Sequence, residues 1–166
     1  MFIKNLKLID FKSYKDSLEI GPFHPYLNGI IGPNGIGKSN ILDAILFVFG
    51  EKAISMRSKK LMELIFSTNE KTSLFASSSI FLFLEKNKSI NFFKKIKELS
   101  LSRKVFKNGN SEYFINGKKI KIFYLKKLLF FVNIPFTSGI FSIKQGEIEQ
   151  YSRMESVGKK KKKKGL

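Results

Sequence analysis

Eight consecutive residues, Gly32-Pro33-Asn34-Gly35-Ile36-Gly37-Lys38-Ser39, constrain this chain more than any other feature of its 166 residues. They match the pattern G-x-x-x-x-G-K-[ST] in full. The apolar, β-branched run 27–31 precedes them as an expected strand. Residues 38–49 follow as an expected helix, ended by Gly50. Glycines let such a turn curl until successive backbone N–H groups converge on one point. The helix that follows adds unpaired N–H groups and the positive end of its dipole. Lys38 brings a point charge suited to β- and γ-phosphates, and Ser39 a hydroxyl suited to Mg²⁺. The pattern implies a purine nucleoside triphosphate.

Composition narrows the alternatives. Apolar residues make up 43% of the chain, enough for one domain with a core. There is no Cys, which excludes disulfides, thiolate metal sites and a cysteine nucleophile. The single His24, beside Pro25, excludes multi-histidine metal centres and fits a loop residue. No apolar run reaches the ~20 residues of a membrane span. The opening MFIKNLKLIDFKSY is charged throughout, unlike a secretory signal. An intracellular chain without a membrane partner is expected.

Charge is abundant but uneven. Lys+Arg number 31 against 13 Asp+Glu, a net charge of +18. Residues 1–50 and 51–85 are each close to neutral. Residues 86–127 carry 13 positive and 2 negative charges, and six lysines occupy 159–164. This suits a neutral nucleotide-binding core with basic appendages. Two origins for the basicity stay open: a polyanionic partner, or drift toward the A/T-rich codons of Lys, Phe, Ile and Asn.

Strands are expected at 2–11, 18–20, 74–84, 99–107, 112–115, 118–122 and 140–143, from alternation and from the turns Asn108-Gly109-Asn110 and Asn116-Gly117. Short helices are expected at 59–66 and 124–132, and another from Glu147. Segment 76–122 is expected to be antiparallel. Asp43, one turn beyond Ser39, is expected to be an ordinary helix-face carboxylate.

FKSY (11–14), IGPFH (20–24), IIGPNGIGKSNILDAILFVFGEKA (30–53), MRSKKLMELI (56–65), SEYFINGKKI (111–120) and QGEIEQ (145–150) together resemble the SMC family of chromosome ATPases. GPFH, LFVFG and QGEIEQ look most like its fourth type, a condensin subunit. The resemblance implies an α/β fold: a P-loop NTPase, the N-terminal lobe of an ABC-type ATPase head, with a mixed sheet and an antiparallel β segment. It implies a lobe over 1–150 and a basic tail over 151–166, where a coiled coil would begin. It implies ATP and Mg²⁺ as cofactors. Lys12 and Ser13 resemble residues beside the nucleotide. Asn34, Gly35, Ile36, Gly37, Lys38, Ser39 and Asn40 resemble the phosphate cradle. Arg57 resembles an arginine that approaches phosphate or DNA when two heads meet. Gln145 resembles the glutamine that contacts Mg²⁺ and the attacking water, making it the candidate catalytic residue and, with Ser39, the candidate metal ligand.

The implied partners are a C-terminal lobe of the same protein, a second SMC head, a kleisin-type subunit and DNA, and the implied location is the nucleus and its chromosomes. The C-terminal lobe would carry the signature motif, the Walker B carboxylates and the switch histidine. Without it, ATP binding but no hydrolysis is expected, as for a fragment, a truncated gene product or an isolated lobe. Two departures stand out. Ile36 replaces the family's usual Ser and removes a hydroxyl near the phosphates, and Lys144 stands where the family is apolar. Two other readings fit part of the pattern. One is a DNA-repair ATPase of the RecF or RecN kind. The other is a basic nucleic-acid-binding module without a working ATP site.

Overall fold

The chain's first strand, β1 (Phe2–Phe11), buries Leu6 and Leu8 on one face by simple alternation. Pairing then shifts register between Ile9 and Phe11, where Asp10 takes a positive φ of 47°. The inserted residue returns the next aromatic to the core, and Phe11 is fully buried. The same bulge aims the corner after Phe11 at the glycine-rich turn. The computed structural model describes residues 1–69, 72–84, 97–132 and 134.

β2 (Tyr14–Ile20) folds back along β1. Helix α1 (Lys38–Val48) follows the glycine-rich turn, and its C-terminus is closed by Phe49 and Gly50, the latter with φ 88°. Two 3-10 turns, Ala53–Met56 and Leu61–Leu64, lead to β3 (Phe75–Phe83). β4 (Glu98–Phe106), β5 (Ser111–Ile115) and β6 (Lys118–Ile120) complete one sheet in the order β2-β1-β3-β4-β5-β6. Helix α2 (Ile122–Phe131) comes last. Met1–Leu128 forms one compact unit, and Leu129–Leu166 a second. In the second, the Ile134 N–H donates to the Leu129 carbonyl at 2.9 Å.

The core of the first unit lies between the sheet and α1. β4 is strictly alternating, burying Leu99, Leu101, Arg103 and Val105. β3 contributes Ala76, Ser78, Ile80 and Leu82, and α1 contributes Ile41, Ala44, Phe47 and Val48. Small side chains bring α1 close to β3, and Ser78 Oγ donates to the Ala44 carbonyl at 3.1 Å. The two hairpin turns form as expected. Gly109 has φ 81°, and Asn116-Gly117 have φ 48° and 76°, a pair of left-handed residues that suits a tight two-residue turn.

Every described pairing is antiparallel, including the described parts of 76–122. The expected strand at 27–31 is not one. It joins no ladder, and Leu27 and Ile31 are 82% and 98% exposed. An apolar run becomes a strand only where another strand takes up its N–H and C=O groups. None among the described residues does so. The parallel component of a mixed sheet is therefore missing from the described part. The expected strand at 140–143 and the helix from Glu147 lie outside the described residues.

Candidate functional site

The glycine-rich turn and the FKSY corner are bound to one another. Gly37, the residue before α1, has φ 102°. A Cβ there would lie 2.6 Å from Ser13 Oγ, 3.4 Å from Asn40 Nδ2 and 3.5 Å from the Tyr14 hydroxyl. Tyr14 bonds to the turn directly, and Ser13 and Asn40 bond to each other against it. The Tyr14 hydroxyl donates to the Gly37 carbonyl at 3.1 Å, and Asn40 Nδ2 donates to Ser13 Oγ at 2.9 Å. Burial raises the Tyr14 pKa above its ordinary value, since it disfavours the phenolate.

Lys38 closes the turn from the other side. Its Nζ donates to the carbonyls of Gly32 at 2.6 Å and Pro33 at 2.5 Å. Gly35 has φ 81° and nothing within 4 Å of where a Cβ would sit. Asn34, Gly35, Ile36 and Ser39 are solvent-exposed. The N-terminus of α1 has no side-chain cap and no acidic residue in its first turn. The first N–H groups of a helix have no acceptor within it. In α1 the Asn40 N–H donates to the Gly37 carbonyl at 2.7 Å, and those of Lys38 and Ser39 stand beside a left-handed glycine, an arrangement complementary to an anion. Ile36 is 60% exposed, so its side chain leaves the turn open.

One turn further along α1 lies a feature that the sequence did not disclose. Asp43 is 4% exposed rather than an ordinary helix-face carboxylate. Its Oδ2 accepts from Lys12 Nζ at 2.7 Å and from Arg57 Nη2 at 2.6 Å. Lys12 also donates to the Met56 carbonyl at 2.6 Å. The three charged residues join β1's bulged end, the P-loop helix and the first 3-10 turn. The amphipathic period places Asp43 on Ser39's side of the helix. Only the fold brings Lys12 and Arg57 to it.

Arg103 supports the opposite end of α1. It donates to the carbonyls of Phe47 and Glu51, each at 3.0 Å, and to Ser111 Oγ at 3.2 Å. Its guanidinium lies 4.5 Å from the Phe47 ring centre and 4.9 Å from that of Tyr113. Burial lowers its pKa from the ordinary value, with Tyr113 opposing the shift.

The structure thus gathers Ser13, Gly37 and Asn40 at the start of α1, with Lys38 closing the turn, and Lys12 and Arg57 around Asp43 one turn further along. Asn34, Gly35, Ile36 and Ser39 form the exposed rim of the glycine-rich turn. Gln145 lies outside the described residues, as does the expected proximity of its side chain to Ser39.

Comparison with known proteins decides the family. The sequence profile described as RecF/RecN/SMC N terminal domain matches residues 2–137. The chain belongs to the RecF/RecN/SMC N-terminal domain family. Within it, similarity runs to the SMC side. The chain is 37% identical over 155 residues to Structural maintenance of chromosomes protein 4 of Schizosaccharomyces pombe, covering 93% of this chain and 12% of that protein. It is 36% identical over 171 residues to Chromosome condensation protein dpy-27 of Caenorhabditis elegans, covering 100% and 12%. The chain therefore spans about an eighth of the length of these SMC relatives.

The fold is that of an SMC ATPase head's N-terminal lobe. A structure described under "ATP-driven dimerization and DNA stimulated activation of SMC ATPases" superposes with a TM-score of 0.83 at 33% identity, covering 95% of both chains. An SMC head bound to the C-winged helix domain of ScpA gives 0.80 at 34% identity, covering 93% of this chain and 47% of that one.

Proposed function

We propose that this chain is the ATP-binding lobe of a condensin-type chromosome ATPase, acting in chromosome condensation in the nucleus. One observation carries the nucleotide reading: α1 begins without a side-chain cap at a left-handed Gly37 whose carbonyl accepts from Tyr14, packed against the Ser13–Asn40 hydrogen bond. That geometry suits a triphosphate. Backbone N–H groups of 34–39 would hold the phosphates, and Lys38 would turn from the Gly32 and Pro33 carbonyls to the β- and γ-phosphates. Ser39, exposed at the first turn of α1, fits as a ligand for Mg²⁺, with Gln145 as a second ligand. When bound, the ion would neutralise charge developing on the transferred phosphoryl group.

Binding alone is not turnover. Hydrolysis needs a group that positions the attacking water and further positive charge around the γ-phosphate. On this reading a C-terminal lobe and a facing head supply them, and a kleisin-type subunit and DNA complete the assembly. The exposed apolar segment supports a covering lobe: Tyr26, Leu27 and Ile31 are 88%, 82% and 98% exposed beside the turn. The SMC head bound to a domain of ScpA supports the kleisin-type partner.

An assay of phosphate release tests this. The chain alone, saturated with Mg-ATP, is expected to release no phosphate above background. Adding a C-terminal SMC lobe as a separate polypeptide should start release, which Lys38→Ala should abolish. Enzyme-like turnover by the chain alone would overturn the incomplete-site reading. Glu147 and Glu149 would then be the carboxylates to replace with Gln.

A further inference from the structure

A helix start that binds an anion cannot be held by the usual device. A Ser, Thr, Asp or Asn at the N-cap closes a helix by accepting from its first N–H groups. Those groups are then lost to a phosphate. Helix α1 has no such side-chain cap and no acidic residue in its first turn. Its N-cap is Gly37, at φ 102° and ψ 8°. Glycine changes these angles more freely than any other residue.

The hold comes from the other side of the peptide. The Gly37 carbonyl accepts from the Asn40 N–H at 2.7 Å, within the helix, and from the Tyr14 hydroxyl at 3.1 Å. Helix ends fray, so the bond within the helix is a poor anchor by itself. Tyr14 opens β2, and its bond ties the helix start to the sheet. In a trans peptide the C=O and the following N–H point in opposite directions. A Gly37 carbonyl held by Tyr14 therefore turns the Lys38 N–H away from that carbonyl, out of the helix start. Rotation of this one peptide plane would put an oxygen where a phosphate needs a donor.

We infer that Tyr14 is a positioning residue for the phosphate cradle: its hydroxyl fixes the Gly37–Lys38 peptide with the N–H facing the anion. It is a cap that engages a carbonyl and spares the N–H groups. This rests on the nucleotide reading above and adds the side chain that prepares the turn before nucleotide arrives.

Calorimetry on the full chain tests this, with Mg-ATP and with inorganic tripolyphosphate plus Mg²⁺, and melting temperature checks folding. Tyr14→Phe keeps the ring and removes the donor. It should weaken both ligands by the same factor, roughly three- to tenfold, the order of one neutral hydrogen bond. Para-aminophenylalanine at position 14 puts an N–H donor in place of the hydroxyl and should restore most of the affinity. Ring packing alone would not separate these two variants. Unchanged affinity in a folded Tyr14→Phe chain overturns the inference. So does a loss that para-aminophenylalanine fails to restore, or a loss seen with Mg-ATP and not with tripolyphosphate. If the wild-type chain binds tripolyphosphate but not Mg-ATP, the nucleotide reading fails, and the tripolyphosphate comparison judges Tyr14 by the same criteria. If it binds neither, both fall. If Tyr14→Phe does not fold, the para-aminophenylalanine chain decides: affinity close to wild type supports the donor role, and weakened binding overturns it.

Discussion

At Gly37 two demands fall on one residue: φ is 102°, and Ser13 Oγ would lie 2.6 Å from a Cβ. Gly37→Ala should therefore push the FKSY corner away from α1 and abolish Mg-ATP binding while leaving the sheet folded. Calorimetry and circular dichroism on the same sample check both halves. Tyr14 offers a pH-dependent handle. Its folded pKa is raised by burial, so its contribution is fully present below the unfolded value of about 10 and lost as pH rises through the folded one. Melting temperatures measured from pH 8 to 11 should fall less steeply at the alkaline end for Tyr14→Phe than for wild type. Asp43→Ala would leave Lys12 in a largely buried site without its carboxylate, and should cost about 3–5 kcal/mol in urea denaturation. The motif residues from Asn34 to Asn40 were legible because the glycine spacing directly encodes a backbone path. Asp43 was not, because its partners come from 31 positions before it and 14 after it.

Helix α1 is the element on which the site depends. Its N-terminus is left open, whereas its C-terminal carbonyls are engaged by Phe49, Gly50 and Arg103. Arg103→Met keeps much of the side-chain volume but removes the donors to Phe47 and Glu51. It should lower stability by about 1–3 kcal/mol in urea denaturation, with the m-value unchanged. The strands of the described sheet were legible because alternation and Asn-Gly turns are local signals. β4 shows the limit of that logic, since alternation placed position 103 inward without telling that an arginine there caps a helix. Residues 27–31 show the converse. Their apolar, β-branched composition states a propensity, but a strand also needs a neighbour.

At the scale of the whole molecule, charge is the main lever. The near-neutral first 85 residues and the excess at 86–127 and 159–164 predict salt-dependent DNA binding independent of nucleotide. In fluorescence anisotropy, affinity should fall steeply with salt, and deleting 159–164 should reduce the slope. Absence of binding at low salt would assign the basicity to codon drift. The account itself turns on the phosphate cradle, and calorimetric titration of the full chain with Mg-ATP tests it most directly, with Lys38→Ala as comparison and melting temperature as the check on folding. Wild type should bind one nucleotide per chain, and Lys38→Ala should weaken binding by about 2–3 kcal/mol, roughly 30- to 150-fold. Equal affinity in the two chains, or no binding by a folded wild type, would contradict it.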